Sequence, residues 1–186
     1  MTPSLDRSYY AVSVVGPDRP GIVAGISEAL FRQGCNIADS SCAMLAGEFA
    51  MILIISHPKP FTKTHLVEEL KPACDRLGMT LSIRHLQPGE EQRQSQFGEI
   101  CQITVYGADQ PGIVYRVTSA LAARQINILD LNTKLVGSDE QPVYVMLLEA
   151  TLPEGVTPED VEQLLASLRA ELKVEIGIRI VTPVEL

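Results

Sequence analysis

Residues 16–39 read GPDRPGIVAGISEALFRQGCNIAD, and residues 107–130 read GADQPGIVYRVTSALAARQINILD. The two segments align without a gap at a constant offset of 91, and 11 of the 24 positions are identical. The identities include every fixed position of a G-x-D-x-P-G loop and an asparagine close to the end. A repeat with so long a period indicates duplication of a whole domain rather than a solenoid, whose units are roughly 20 to 50 residues long.

The flanking sequence predicts the same order of elements in each half. Apolar and polar residues alternate before each loop, which is typical of a strand, and apolar residues then recur at helical spacing. Two further strands, a second helix that begins at a threonine, and a last alternating strand follow in both copies. The expected fold is α+β, with two ferredoxin-like βαββαβ domains, each having a four-stranded antiparallel sheet and two helices on one face.

The polar, glutamine-rich stretch QPGEEQRQSQFG separates the copies. Its proline and glycine break regular structure, so it reads as a linker. The predicted organisation is a first domain over residues 8–86, a linker over 87–98 and a second domain over 99–184.

Composition restricts the class of function. The chain has 23 acidic and 15 basic residues among 186, a net charge of -8, so its field repels nucleic acid and anionic membranes. The N-terminus lacks a leader pattern and the apolar runs are only strand-length, which favours a cytoplasmic protein. No cysteine or histidine spacing indicates a metal site or cofactor, and no nucleophile with a base is repeated, so we expect no enzyme activity.

The repeated loop has two interpretations. A helix that opens with Pro-Gly presents free backbone N–H groups to a carboxylate, while Asp18 and Asp109 offer a carboxylate to an ammonium group. Asn36 and Asn127 add an amide at the start of the next strand. The simpler interpretation is that the aspartates cap the loop and the asparagines make turns. Residue type alone favours the simpler one.

The G-x-D-x-P-G-I-V loop, the helix, the Asn-Ile start of strand two and the βαββαβ order resemble the ACT domain, an amino-acid-sensing module of metabolic regulators. The resemblance covers both halves. In ligand-binding members the effector lies between paired domains, held by main-chain N–H groups of the first loop and by the loop before strand two of a neighbouring copy. The positions that the resemblance implies here are Asp18, Gly21, Ile22, Asn36, Ile37, Asp109, Gly112, Ile113, Asn127 and Ile128.

A stand-alone chain of two such domains resembles members of the family that regulate transcription of glycine cleavage genes. That resemblance implies a repressor without a DNA-binding domain of its own, which acts on a DNA-bound activator protein and responds to a small amino acid, glycine or serine first. We expect a homodimer, although the two copies could instead pair within one chain. The alternative is an assembly protein that binds no ligand.

Overall fold

The computed structural model describes residues 7–58, 62–87, 89–90, 98–138 and 141–181. The chain divides into two compact units, with the boundary between residues 94 and 95. The predicted limits of the domains and of the linker stay predictions, because most of residues 87–98 and residues 182–184 lie outside the described part.

The first domain follows the predicted order. Its sheet is antiparallel, with strand order β2-β3-β1-β4. The elements are β1 (Ser8–Pro17), α1 (Ile22–Arg32), β2 (Asn36–Leu45), β3 (Glu48–His57), α2 (Lys63–Leu77) and β4 (Thr80–Leu86).

The second domain repeats this architecture with strand order β6-β7-β5-β8. The elements are β5 (Ile100–Ala108), α3 (Ile113–Ala123), β6 (Asn127–Ser138), β7 (Gln141–Thr151), α4 (Pro158–Leu172) and β8 (Val174–Val181). The predicted fold, two ferredoxin-like βαββαβ units, is therefore confirmed.

Each core lies between one face of the sheet and the two helices. Val12 and Val14 of β1 are fully buried, as are Ile103 and Val105 at the equivalent positions of β5. The alternation seen in the sequence arises because successive strand residues point to opposite faces. From α1 the core receives residues at a spacing of four, namely Ile22, Ile26 and Leu30.

The strand that follows the first helix is an edge strand in both sheets. All ten residues of β2 are exposed, and most of β6 is exposed as well. In the first domain the buried core residues of the sheet come from β1, β3 and β4 and none from β2, so the helices leave β2 uncovered. β3 and β7 lie inside their sheets, between the edge strand and β1 or β5.

The second helix of each domain begins at a threonine cap, as predicted. The Thr62 hydroxyl accepts a hydrogen bond from the N–H of His65, and Thr157 forms a reciprocal capping box with Asp160.

Candidate functional site

Each repeated loop ends in a glycine N-cap with left-handed backbone. Gly21 has φ 95° before α1, and Gly112 has φ 98° before α3. The first intrahelical bond joins the N–H of Gly25 to the carbonyl of Gly21 at 2.9 Å. The N–H groups before Gly25 therefore have no carbonyl partner within the helix and point out of its end, where the helix dipole is positive.

The expected capping of this first turn by Asp18 and Asp109 is wrong. No side chain makes a capping hydrogen bond at Gly21 or at Gly112. A glycine in left-handed geometry turns the chain into the helix without help from a side chain. The Asp18 main chain instead extends the sheet, since its N–H donates to the Gly47 carbonyl at 2.8 Å. Both aspartate side chains are exposed.

A side chain fastens each loop to the end of the second helix. The Arg19 guanidinium donates a hydrogen bond to the carbonyl of Arg76, in the last turn of α2. Gln110, at the equivalent position, donates from its amide to the carbonyl of Leu172, the last residue of α4. Such carbonyls have no intrahelical partner. Two dissimilar residues thus hold the loop in the same place.

Asn36 and Asn127 lie at the other end of their sheets. Asn36 pairs with Ser56, which pairs with Tyr9 at the start of β1. The loop follows Pro17, eight residues further along β1, so at roughly 3.3 Å per residue the two groups are about 26 Å apart. A small ligand cannot contact both groups of one domain.

The ten residues that the resemblance implied thus fall into two sets in each domain. The loop sets are Asp18, Gly21 and Ile22, and Asp109, Gly112 and Ile113; the far sets are Asn36 and Ile37, and Asn127 and Ile128. The side chains of Ile22 and Ile113 are buried in the cores, so only their backbone groups are available to a ligand. The strand starts carry a β-bulge in both copies, after Ile37 and after Ile128.

The surroundings of the second loop contain polar groups that the sequence reading missed. Tyr144 lies opposite Gly107 across the β5–β7 ladder. Burial raises the pKa of the Tyr144 phenol, its hydrogen bond with Thr133 opposes this shift, and the negative charge of Asp109 adds to it. The first domain has Phe49 and Cys42 at the positions of Tyr144 and Thr133. These two differences between the repeats are the sequence feature that could have revealed the polar groups near the second loop.

A cavity of about 570 Å³ lies at the Asn127 end of the second domain. It borders Thr151, the buried strand partner of Asn127, and Gln125, which precedes β6. Carboxylates of Glu99 and Glu154 stand at its wall. It is separate from the loop at the start of α3.

Three or more His, Cys, Asp or Glu side chains that could hold one metal ion do not come together anywhere in that part of the chain. Among the helices described, none is both long enough and apolar enough to cross a membrane.

Comparison with known proteins gives matches over nearly the whole chain. The glycine cleavage system transcriptional repressor of Escherichia coli K12 is 27% identical over 178 residues, covering 94% of this chain and 91% of that protein. A UPF0237 protein of Methanocaldococcus jannaschii is 42% identical over 80 residues, covering 42% of this chain and 88% of its own length.

A solved structure of an unknown protein from Galdieria sulphuraria superposes with a TM-score of 0.81 at 28% identity, covering 95% of this chain and all of that one. Residues 8–84 and residues 99–179 both match the ACT domain. The two matched regions contain all of the loop and strand-start residues described above. The chain therefore belongs to the ACT domain family, as a tandem of two such domains.

Proposed function

We propose that this chain is an amino-acid-responsive regulatory protein rather than an enzyme. It binds a small amino acid, glycine or serine first, and regulates glycine cleavage by binding a protein partner such as a DNA-bound transcriptional activator. The similarity to a protein named as the glycine cleavage system transcriptional repressor supports the regulatory role. The observation that carries the ligand proposal is the open helix start behind a left-handed glycine, present in both domains.

The chemistry of the loop suits a zwitterion. Main-chain N–H groups at the start of α1 would bind the carboxylate, and the exposed Asp18 carboxylate would bind the ammonium group. A Cβ placed on Gly21 would meet nothing within 4 Å, so the space in front of the cap is open to a ligand. Asn36 lies about 26 Å from the loop of its own domain. It can therefore contact only a ligand that is bound at the loop of a different ACT domain.

The two loops are expected to differ in affinity. In the second domain the Tyr144 phenol lies near Asp109 and is hydrogen-bonded to Thr133, whereas Phe49 and Cys42 stand at the equivalent positions of the first. Hydroxyl groups hydrogen-bond a polar ligand and a phenyl ring does not. We propose that the second domain binds the effector more tightly.

Direct binding to DNA does not form part of the proposal. The net charge of -8 opposes association with a phosphate backbone. A regulator of this charge is expected to reach DNA through a protein, in the cytoplasm that the sequence predicts.

The second candidate function is a ligand-free assembly protein. It is supported by β2, a ten-residue edge strand that is exposed throughout and contains no lysine, arginine or proline. Long edge strands without such protection pair readily with other chains. On this alternative, substitutions in the loop would leave assembly and regulation unchanged.

Calorimetry with glycine, serine and a panel of other amino acids tests the proposal. We expect the intact chain to bind. Gly21→Ala should abolish binding if the first loop holds the ligand, and Gly112→Ala should abolish it if the second loop does. Gly155→Ala is the matched control, because Gly155 also has a left-handed φ, 82°, and open space around its Cβ position but lies before α4. If no amino acid produces heat or a thermal shift, only the assembly role survives.

A further inference from the structure

The groove between the second helix and the last strand is open in the first domain. A cavity of about 350 Å³ lies there between α2 and β4, lined by the apolar side chains of Val67, Cys74, Met79 and Leu81. Burial raises the pKa of the Cys74 thiol, so the thiol stays neutral. The neighbouring Lys71 and Asp75 form an ion pair with each other at 2.8 Å.

The same groove is filled in the second domain. The repeats align here at an offset of 95, which places Glu162 at the position of Val67 and Arg169 at the position of Cys74. The Arg169 guanidinium donates to the carbonyl of Ile176 in β8 and lies 3.3 Å from the Glu162 carboxylate. A charged side chain therefore occupies the space that is open in the first domain.

Strand register shows that this arginine caps the edge of the sheet. The Leu152 N–H donates to the carbonyl of Glu99, the residue just before β5. Every second residue after Glu99, including Val105, therefore directs its backbone N–H and C=O groups toward β7. Ile176 lies opposite Val105 on the other side of β5. Its own N–H and C=O consequently point away from β5, to the free edge.

Among the described residues of the first domain, no side chain caps the equivalent edge. The Asp18 N–H donates to Gly47, so Val14 and Val12 direct their backbone groups toward β3. Leu81 and Ile83 lie opposite these two valines, and their N–H and C=O groups point out of the sheet. Cys74 has no donor long enough to reach them as Arg169 reaches Ile176.

We propose that the free edge of β4 binds an extended apolar segment of a partner protein by strand addition. The backbone of the segment would pair with the outward groups of Leu81 and Ile83. Its apolar side chains on the helix side would fill the groove beside Val67 and Cys74. Binding modes of this kind take affinity from main-chain bonds and specificity from pockets for alternate side chains.

A second copy of this chain does not suit the groove. On the helix side of β4, the side chains of Ile83 and of Met79, which immediately precedes the strand, are already buried under α2 of their own copy. They cannot enter a groove beneath another helix. β2 of another copy has no helix over it, but Asp39, Ser40 and Ser41 at its centre are polar and do not match an apolar groove. The occupant is thus an apolar strand that carries no helix over its apolar face. The inference depends on the proposed function only in requiring a protein partner, and it is independent of the amino-acid site.

The test selects a display library of random octapeptides on the full chain. We expect peptides with alternating apolar residues to be enriched, and their binding to be at least about tenfold weaker in the variant Val67→Glu, Cys74→Arg, which copies the second domain. The reciprocal variant Glu162→Val, Arg169→Cys should gain a second binding site. Calorimetry with glycine should be unchanged in the first variant, which separates this proposal from the amino-acid site.

Amide hydrogen exchange of the wild-type complex gives a readout that does not depend on the variants folding. Peptide binding should slow exchange at Leu81 and Ile83. The proposal is overturned if no such peptides are enriched, or if the wild type and the Val67→Glu, Cys74→Arg variant bind them equally. It is also overturned if the peptides protect strands other than β4 from exchange. It is equally overturned if leucine amide binds the groove as tightly as the peptides, since the cavity would then be a small-molecule site, or if binding to β4 requires a second copy of the chain.

Discussion

Gly34 and Gln125 occupy the same position after the first helix of their domains, and both have left-handed backbone, with φ of 71° and 57°. Each N–H donates back to the helix, and the following residue donates to the carbonyl of Leu30 or Leu121, which forms a Schellman-type end in both copies. Glycine adopts this conformation freely, whereas a residue with a Cβ loses roughly 1 to 2 kcal/mol. The second domain therefore carries strain that the first avoids.

Substitution of Gln125 by glycine should relieve that strain. We expect Gln125→Gly to stabilise the second domain by about 1 kcal/mol in urea unfolding, and Gly34→Gln to destabilise the first domain by a similar amount. The reciprocal pair is its own control, because both changes are made at the surface in the same type of helix end. No gain in Gln125→Gly would mean that the glutamine side chain makes a compensating interaction.

Gly107 is required by a close approach between strands rather than by its backbone angles. A Cβ at this position would lie 2.9 Å from Cγ1 of Val174 and 3.1 Å from the carbonyl of Lys173. We expect Gly107→Ala to destabilise the second domain by roughly 1 to 3 kcal/mol, the usual effect of overpacking. Gly177→Ala is the control within the same domain, because a Cβ there would meet nothing within 4 Å. Equal melting temperatures for the two variants would contradict this account.

The loop tether should matter more in the second domain. The bond from Gln110 to Leu172 is partly buried, whereas the bond from Arg19 to Arg76 is exposed to solvent, where water can replace the lost donor. An acceptor left unsatisfied away from water costs about 1 to 3 kcal/mol. We expect Gln110→Ala to cost about 1 kcal/mol and Arg19→Ala less than half of that, as measured by chemical denaturation. A larger effect of Arg19→Ala would show that the guanidinium makes further contacts.

The sequence predicted the fold well because the helices and the strands other than β2 and β6 each have one buried face. The alternation around Val12 and Val14 and the helical spacing around Ile26 follow directly from which side chains enter the core. Duplication strengthened these predictions, since a weak pattern in one copy could be compared with the other. The tandem arrangement could be predicted from the sequence alone.

The candidate site was harder to predict because it depends on register and on backbone conformation. A glycine that caps a helix in left-handed geometry has no distinct residue pattern, so the sequence suggests a capping role for Asp18 that the structure does not show. The distance of Asn36 from the loop follows from its pairing with Ser56, which a single sequence does not specify. The shared role of Arg19 and Gln110 was hidden by their different chemistry.

The capping box of α4 should make the second domain sensitive to acid. The backbone N–H and the hydroxyl of Thr157 both donate to the Asp160 carboxylate, and these hydrogen bonds hold the pKa of Asp160 below its ordinary 3.8. A carboxyl whose pKa is lower in the folded than in the unfolded state stabilises the fold above the unfolded value. That stabilisation disappears as the pH falls through the lower, folded value.

Asp160→Asn is therefore expected to lower the melting temperature of the second domain at neutral pH, and the difference from the wild type should vanish in acid below the folded pKa. Thr157→Ala is the companion variant, since it removes the neutral bond from the Asp160 N–H to the Thr157 hydroxyl and should cost about 1 kcal/mol even in acid. Melting curves recorded from pH 7 downward distinguish the two effects. A difference between Asp160→Asn and the wild type that persists unchanged in acid would show that the charge of Asp160 is not what stabilises the helix start.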